Sequence, residues 1–289
     1  MDAIGILILG GLGAGLLSGL LGIGGGTVMV PLLVAVGYSY NQSVATSSLA
    51  IVITALSGTL QNWRMGFLRP RAVLMLALPA IATAQIGAYL VGQLPDFVKE
   101  AGFGLLLVVT IFLVRLKQQL VQLEKPAVSI DQSTIPPAPL SKEGNSLPPT
   151  SLPCGKPQNR LGKGGERPAQ LGTGAMAGLL AGLFGVGGGV IMVPLQMLLL
   201  QEPIKTAIRT SLGVIVLTSI SACIGHAQQG NVVAIAGLIL GSGGLVGAQV
   251  STRFLPKLPD RLVSLCFRLL LIVLAVYFFW RAVQSYPQG

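Results

Sequence analysis

Long apolar runs separated by short polar stretches dominate the chain. Runs of about 20 apolar residues, enough to cross a hydrocarbon core of about 30 Å, recur along both halves. Not one Asp, Glu, Lys or Arg occurs between Asp2 and Arg64. Because only helices and closed barrels satisfy their backbone hydrogen bonds in lipid, this pattern predicts an all-α polytopic membrane protein.

Two glycine runs interrupt the apolar pattern. Gly22–Gly26 precedes the apolar stretch 27–37, and Gly185–Gly189 precedes its counterpart in the second half. Each glycine costs a helix about 1 kcal/mol relative to alanine, so we predict a helix break at each run. The stretch after the first break, at about 1.5 Å per residue, is about 16 Å long and reaches only the middle of the membrane.

The second half of the chain repeats the first. With an offset of 163 residues, 15–32 and 178–195 are identical at 13 of 18 positions. An offset of 164 aligns later residues, including Thr54 with Thr218 and Gly66 with Gly230. Glycines spaced by four recur in both halves and predict close helix packing; they are Gly11, Gly15, Gly19, Gly174, Gly178 and Gly182.

The basic loops predict that the two repeats have opposite orientations. In the first half the basic residues lie between the second and third segments, whereas in the second half they lie one loop later; they are Arg64, Arg69 and Arg71, and Arg253, Lys257 and Arg261. If basic loops face the cytoplasm, the repeats are inverted. Each repeat then contains one glycine-broken helix, re-entrant or discontinuous, plus three transmembrane helices. We therefore predict about eight membrane segments, with the glycine tips meeting at the midplane.

Three regions follow from this pattern. The first transmembrane repeat is 1–116, and the second is 170–289. Between them, 117–169 is a linker rich in proline, since nine of the 18 prolines lie between 115 and 169. Its composition predicts a disordered cytoplasmic segment. The N-terminus lacks the basic region of a secretory signal, so we expect the first apolar run to be retained.

Composition and motifs exclude several classes of function. The chain is 52% hydrophobic and only 10% charged, and its net charge of +10 lies in loops beside apolar runs, which indicates membrane orientation rather than nucleic-acid binding. The three cysteines have no metal-site spacing. No phosphate-binding loop, zinc-protease motif or carboxylate within a predicted span occurs. We therefore expect no enzyme, no cofactor and no metal site.

The candidate binding site follows from the two breaks. A helix that begins at a glycine break presents free backbone N–H groups and the positive end of its dipole, both of which attract anions. Nearby hydroxyls and one arginine extend the candidate substrate-binding set: Gly24, Gly25, Gly26, Thr27, Thr46, Ser47, Ser48, Gly187, Gly188, Gly189, Arg209, Thr210 and Ser211. Two alternatives stay open. The glycines can serve helix packing alone, and the hydroxyls can bond their own helix carbonyls.

Four polar residues in or beside apolar segments have two interpretations each. Arg209 either attracts an anion at the cytoplasmic mouth or anchors the helix at the interface. Gln85 and Gln249 occupy matching repeat positions and either bond across helices or contact the ligand. His226, the single histidine, is either a proton carrier or a structural residue.

The duplicated motif also resembles a known family. Gly15–Gly26 with Pro31, the second copy 178–189 with Pro194, and the pairs Thr46-Ser47 and Thr210-Ser211 are similar to the sulfite exporter TauE/SafE permeases. The resemblance implies an inner- or plasma-membrane permease, driven by an ion gradient, for sulfur-containing anions such as sulfite or organosulfonates. Members often carry a histidine four residues before Gly-Asn. His226 matches this pattern in the second half, whereas Asn62 replaces the histidine in the first.

The leading hypothesis is therefore a multi-pass secondary transporter for small anions in the cell membrane, working by alternating access around the two breaks. Its expected partners are the anion, the lipid bilayer and a coupling ion, proton or sodium. A passive anion channel and a non-transporting scaffold that uses the linker are the alternatives. The sequence leaves the substrate, direction of transport, coupling ion and oligomeric state open.

Overall fold

The computed structural model describes residues 3–123 and 166–284, and within these ranges the chain is helical with no strand. Most of the predicted linker lies outside the described residues. Ten α-helices occur: α1 Ala3–Leu21, α2 Gly26–Val36, α3 Tyr40–Arg64, α4 Pro70–Val91, α5 Asp96–Leu123, α6 Glu166–Phe184, α7 Gly189–Leu199, α8 Ile204–Gln228, α9 Ala234–Phe254 and α10 Asp260–Gln284. A short 3-10 turn, Leu255–Lys257, follows α9.

The helices repeat in the predicted order. Helices α1–α5 correspond to α6–α10, and the short helices α2 and α7 have 11 residues each. Among the described residues, seven helices are long and apolar enough to span a membrane: α1, α3, α4, α5, α8, α9 and α10. Helix α6 is the counterpart of α1, but its first turns are more polar. The structure thus confirms a polytopic helical membrane protein in which each repeat combines a glycine-broken pair with three long helices.

Each glycine break turns the chain back on itself. A Cβ added to Gly25, just before α2, would lie 3.1 Å from the Ala14 carbonyl oxygen of α1. Further along α2, Leu32 contacts Gly10. The residue number falls along α1 as it rises along α2, so the two helices are antiparallel. We call α1 and α2 hairpin 1 and α6 and α7 hairpin 2, in which Gly188 lies against Ala177 in the same way.

The first helix of each repeat packs mainly against a helix of the other repeat. Helix α1 packs most extensively on α9, and α6 on α4. The glycines spaced by four lie in these contacts: a Cβ on Gly15 would overlap Gly244, and one on Gly178 would overlap Ala80. The predicted close packing is therefore confirmed, and it joins one repeat to the other.

Two ion pairs show that the basic loops lie at the same end of the bundle. Arg69, before α4, lies 3.5 Å from Glu202, before α8. Lys205, in the first turn of α8, lies 3.2 Å from Asp260, at the start of α10. We call this the basic end. Hairpin 2 opens toward it and hairpin 1 toward the opposite end, as expected for inverted repeats.

Candidate functional site

The glycine tips of both hairpins lie beside the middle of α3 and α8, the two most buried of the long helices. A Cβ added to Gly24 would lie 3.0 Å from Ile215 and 3.3 Å from Ile51. These isoleucines are each the twelfth residue of a 25-residue helix, α8 and α3 respectively. The same two isoleucines flank Gly187. The tips therefore meet in the centre of the bundle.

The backbone at each tip requires glycine. Gly24 and Gly25 have φ angles of +84° and +81°, and Gly187 and Gly188 have +73° and +74°. Side chains rarely adopt this left-handed region. Gly25 and Gly188 are the residues that precede α2 and α7, and neither helix start has a side-chain cap. The first N–H groups of both short helices thus lack the cap that a Ser, Thr, Asp or Asn would supply.

The two tips pack directly on each other. A Cβ on Gly26, the first residue of α2, would overlap the carbonyl oxygen of Gly185 in the other tip. The mirrored contact joins Gly189, the first residue of α7, to the carbonyl oxygen of Gly22. The carbonyl of each tip therefore lies at the positive end of the opposite short helix. In this conformation the glycine runs pack tightly and leave no room for a side chain between them.

Two of the predicted hydroxyls hold the tips across the repeat boundary. Ser47 Oγ in α3 donates to the Gly185 carbonyl oxygen at 2.9 Å, and Ser211 Oγ in α8 donates to the Gly22 carbonyl oxygen at 2.9 Å. Both hydroxyls also lie 2.9 Å from a carbonyl of their own helix. These serines were expected to bond either a ligand or their own helix, and the structure adds the opposite glycine tip as a partner.

The other predicted hydroxyls have different positions. Thr46 Oγ1 accepts the N–H of Val233 at 3.1 Å, which ties α3 to the start of α9. Ser48 Oγ donates to the Val44 carbonyl oxygen one turn earlier at 2.9 Å. Thr27 and Thr210 are buried, and Thr27 lies in the first turn of α2, beside the tips.

Arg209 lies toward the basic end. Its guanidinium carbon is 3.8 Å from the ring centroid of Phe67, which belongs to the loop between α3 and α4. Its Nε is buried and has no hydrogen-bond partner. The neighbouring residue Ile208 contacts the tip glycine Gly22. Arg209 is thus a cation placed between the basic end and the central tips.

The remaining polar candidates lie apart from the tips. Gln85 Nε2 donates across helices to the Ser221 carbonyl oxygen at 2.7 Å, which was one of its two expected roles. Gln249 is half-buried on α9. His226 is fully buried in the last turn of α8, and its Nε2 lies 3.0 Å from the Gly182 carbonyl oxygen.

Two groups of residues escaped the sequence analysis. Ile51 and Ile215 lie between the tips. They occupy matching positions in the two repeats, and this match could have identified them from the sequence. Lys99 and Glu100, at the start of α5, are only 2% and 1% exposed. Lys99 Nζ donates to Asn41 Oδ1 at 2.7 Å, and Glu100 accepts from Arg281 Nε. Charged residues are seldom fully buried, so the sequence gave no sign of this burial.

Comparisons with known proteins relate the chain to membrane transporters. The family model described as sulfite exporter TauE/SafE matches residues 7–278. The probable membrane transporter protein YunE of Bacillus subtilis is 26% identical over 97% of this chain and 98% of its own length. YjnA of the same organism, also named a probable membrane transporter protein, is 27% identical over 87% of this chain and 91% of its own length. No solved structure matches the chain.

Proposed function

The chain belongs to the sulfite exporter TauE/SafE family, and we propose that it is a secondary transporter for small anions, sulfur-containing oxyanions among them, which it moves by alternating access between its two repeats. Its relatives in bacteria are named probable membrane transporter proteins. Inverted repeats with broken helices that meet near the bilayer midplane are the usual architecture of such carriers.

One observation carries this proposal: each tip carbonyl lies at the start of the opposite short helix. The start of α2 faces the carbonyl oxygen of Gly185, and the start of α7 faces that of Gly22. A carbonyl oxygen carries partial negative charge, so its position beside the first residue of the helix is one that the positive helix end favours, as it would favour an anion. The bound anion replaces these carbonyls when the tips separate. Gly24–Gly26 with Thr27, and Gly187–Gly189, then supply its first contacts.

The hairpins supply the two alternative openings. Hairpin 1 opens to one end of the bundle and hairpin 2 to the basic end, so rocking one repeat against the other exposes the tips to one side at a time. The movement breaks the hydrogen bonds from Ser47 and Ser211 to the tips. Ile51 and Ile215 close the centre between openings. The tight contact of the tips favours a carrier over a permanently open channel.

Flux into proteoliposomes tests the proposal. Purified protein is given sulfite, sulfate, a sulfonate or acetate, with and without an imposed proton or sodium gradient. We expect saturable accumulation of at least one sulfur oxyanion that depends on a gradient. Flux that only equilibrates supports the passive channel instead. No flux of any anion, with the protein shown to be folded and inserted, supports the scaffold.

A further inference from the structure

Hairpin 2 carries polar side chains where hairpin 1 is apolar. In hairpin 1, Leu7 and Leu33 belong to one buried apolar cluster with Ala14 and Met29. Between them, Gly10 contacts Leu32. The offset of 163 residues replaces Leu7, Gly10 and Leu33 by the polar residues Gln170, Thr173 and Gln196. We call these three residues the polar layer.

The side chains of the polar layer have unmet hydrogen-bonding capacity. Gln196 is fully buried, and neither its Nε2 nor its Oε1 has a partner. Thr173 is 1% exposed and its Oγ1 has no partner, and the buried Oε1 of Gln170 has none either. Leaving such groups unpaired in an apolar interior costs about 1 to 3 kcal/mol each. A buried layer of this kind is therefore expected to bind a polar ligand.

The layer lies on the basic side of an apolar cluster. That cluster joins four helices through Val73, Ala177, Met192 and Val214. Thr173 precedes Ala177 by four residues and Gln196 follows Met192 by four, so both lie one helical turn nearer the basic end. On α8, the same step from Val214 leads to Thr210, which adjoins Arg209. The unpaired Nε of Arg209 is thus on the same side of the cluster as the polar layer.

We propose that Gln170, Thr173 and Gln196 form a binding site for a small oxyanion, a vestibule that the substrate occupies before it reaches the central tips. The choice of ligand rests on the proposed function. Amide N–H and hydroxyl groups are neutral donors that suit the oxygens of such an anion, and Arg209 supplies positive charge on the same side of the apolar cluster. A cation at the same place would be repelled by Arg209 and by the loops of the basic end.

Hairpin 1 provides a matched substitution for testing the site. Gln196→Leu introduces the residue that hairpin 1 has at the equivalent position, Leu33, and it removes two unpaired buried atoms. We therefore expect the variant to fold, with an unfolding temperature equal to or above that of the wild type. Gln196→Glu keeps the shape of the side chain but places a negative charge where the anion binds. Gln93→Leu, in an exposed loop at the opposite end, is the control.

The measurement is the unfolding temperature of the full chain in nanodiscs, titrated with sodium sulfite or sodium sulfate against sodium chloride at equal ionic strength. We expect sulfite or sulfate to raise the wild-type unfolding temperature in a saturable way. The apparent affinity falls about tenfold to a hundredfold in Gln196→Leu, as expected for a lost hydrogen bond to a charged group. It falls further in Gln196→Glu and stays unchanged in Gln93→Leu.

Three outcomes overturn the inference. The first is a wild-type unfolding temperature that neither anion changes, and the second is unchanged affinity in Gln196→Leu. The third is a response to sodium, at constant anion, that strengthens in Gln196→Glu, because it would identify a cation site. Binding is read without flux, so a Gln196-dependent response in a protein that transports nothing rejects the proposed function alone. Anion transport with unchanged binding by Gln196→Leu rejects only the vestibule.

Discussion

Hairpins 1 and 2 have the same backbone geometry but differ in the side chains that fill them. Both turn through left-handed glycines, and both place a tip carbonyl at the start of the opposite short helix. Away from the tips the likeness ends, because Leu7 and Leu33 fill hairpin 1 whereas Gln170 and Gln196 fill hairpin 2. The comparison separates two requirements: the packing of the tips depends on backbone shape and is alike in the two repeats, whereas the packing of the rest of each hairpin depends on side chains and differs.

The opposite ends of the bundle differ in the same way. At the end away from the basic loops, Lys99 and Glu100 are buried, and Glu100 accepts a hydrogen bond from Arg281 of the second repeat. The equivalent position to Lys99 in the second repeat is Val263, which is buried among apolar side chains. A buried ion pair, Glu100–Arg281, thus joins the repeats at this end, whereas the ion pair that joins them at the basic end, Arg69–Glu202, has an arginine side chain that is 58% exposed. Separating the repeats at the two ends therefore breaks ion pairs of different burial.

Substitutions at the glycine tips, which are alike in the two hairpins, should have the strongest consequence. Gly25→Leu and Gly188→Leu should each abolish anion flux in proteoliposomes, because a side chain at either position strains a left-handed backbone and presses on the neighbouring helix of the hairpin. Both variants should still insert into the membrane, which size-exclusion chromatography and protease protection check. Gly13→Leu is the control, since an added Cβ there meets nothing within 4 Å. Normal flux in either tip variant contradicts the central site.

The next effect tests the difference between the ends. Glu100→Gln should lower the free energy of unfolding by about 3 kcal/mol, because it leaves Arg281 without its buried counter-charge. The low end of the range for buried pairs applies, since the Arg281 side chain is 30% exposed. Asp260→Asn, which breaks an ion pair whose carboxylate is 60% exposed, should cost less than 1 kcal/mol. Denaturant titration in detergent measures both, and equal losses would refute the distinction between the ends.

A smaller effect tests a second difference between the repeats. His226 Nε2 lies 3.0 Å from the Gly182 carbonyl oxygen, whereas Asn62, its equivalent, is fully buried and neither of its side-chain polar atoms has a partner. Asn62→His should bond the equivalent carbonyl, that of Gly19, and raise the free energy of unfolding by about 1 kcal/mol. His226→Asn should lower it by at least as much. Opposite signs in the same denaturant titration are the expected result, and a loss in both variants would contradict it.

The hydrogen bonds from Ser47 and Ser211 to the glycine tips should contribute least to stability. Ser47→Ala and Ser211→Ala should each lower the free energy of unfolding by about 0.6 to 1 kcal/mol, the usual range for hydrogen bonds between membrane helices. Their losses should be equal within error, because both serines make the same bond to the opposite tip. Ser48→Ala should cost less, since Ser48 bonds only within its own helix. Unequal losses at Ser47 and Ser211 would show that the central crossing is asymmetric as well.

Much of this architecture could be predicted because it depends on local chemistry. Apolar length predicted the long helices, and the glycine runs predicted the breaks before Gly26 and Gly189. The internal repeat and the basic loops predicted two inverted halves. The roles of the hydroxyls were left open, because a serine hydroxyl on a helix can donate to a carbonyl of its own helix or to a neighbouring segment, and the sequence does not show which. Only the assembled tips show that Ser47 and Ser211 reach across the repeats while Ser48 does not.

The membrane environment, the helices, the breaks and the internal duplication could all be predicted from the chain alone, since each depends on apolar length, on glycine or on similarity between two stretches of sequence. Three properties became visible only in the folded chain: α1 packs on α9 and α6 on α4, Glu100 pairs with Arg281, and the Gln196 side chain is buried without a hydrogen-bond partner. These properties depend on which surfaces meet after folding. Contacts between residues more than 100 positions apart along the chain leave no trace in the local pattern of polar and apolar residues.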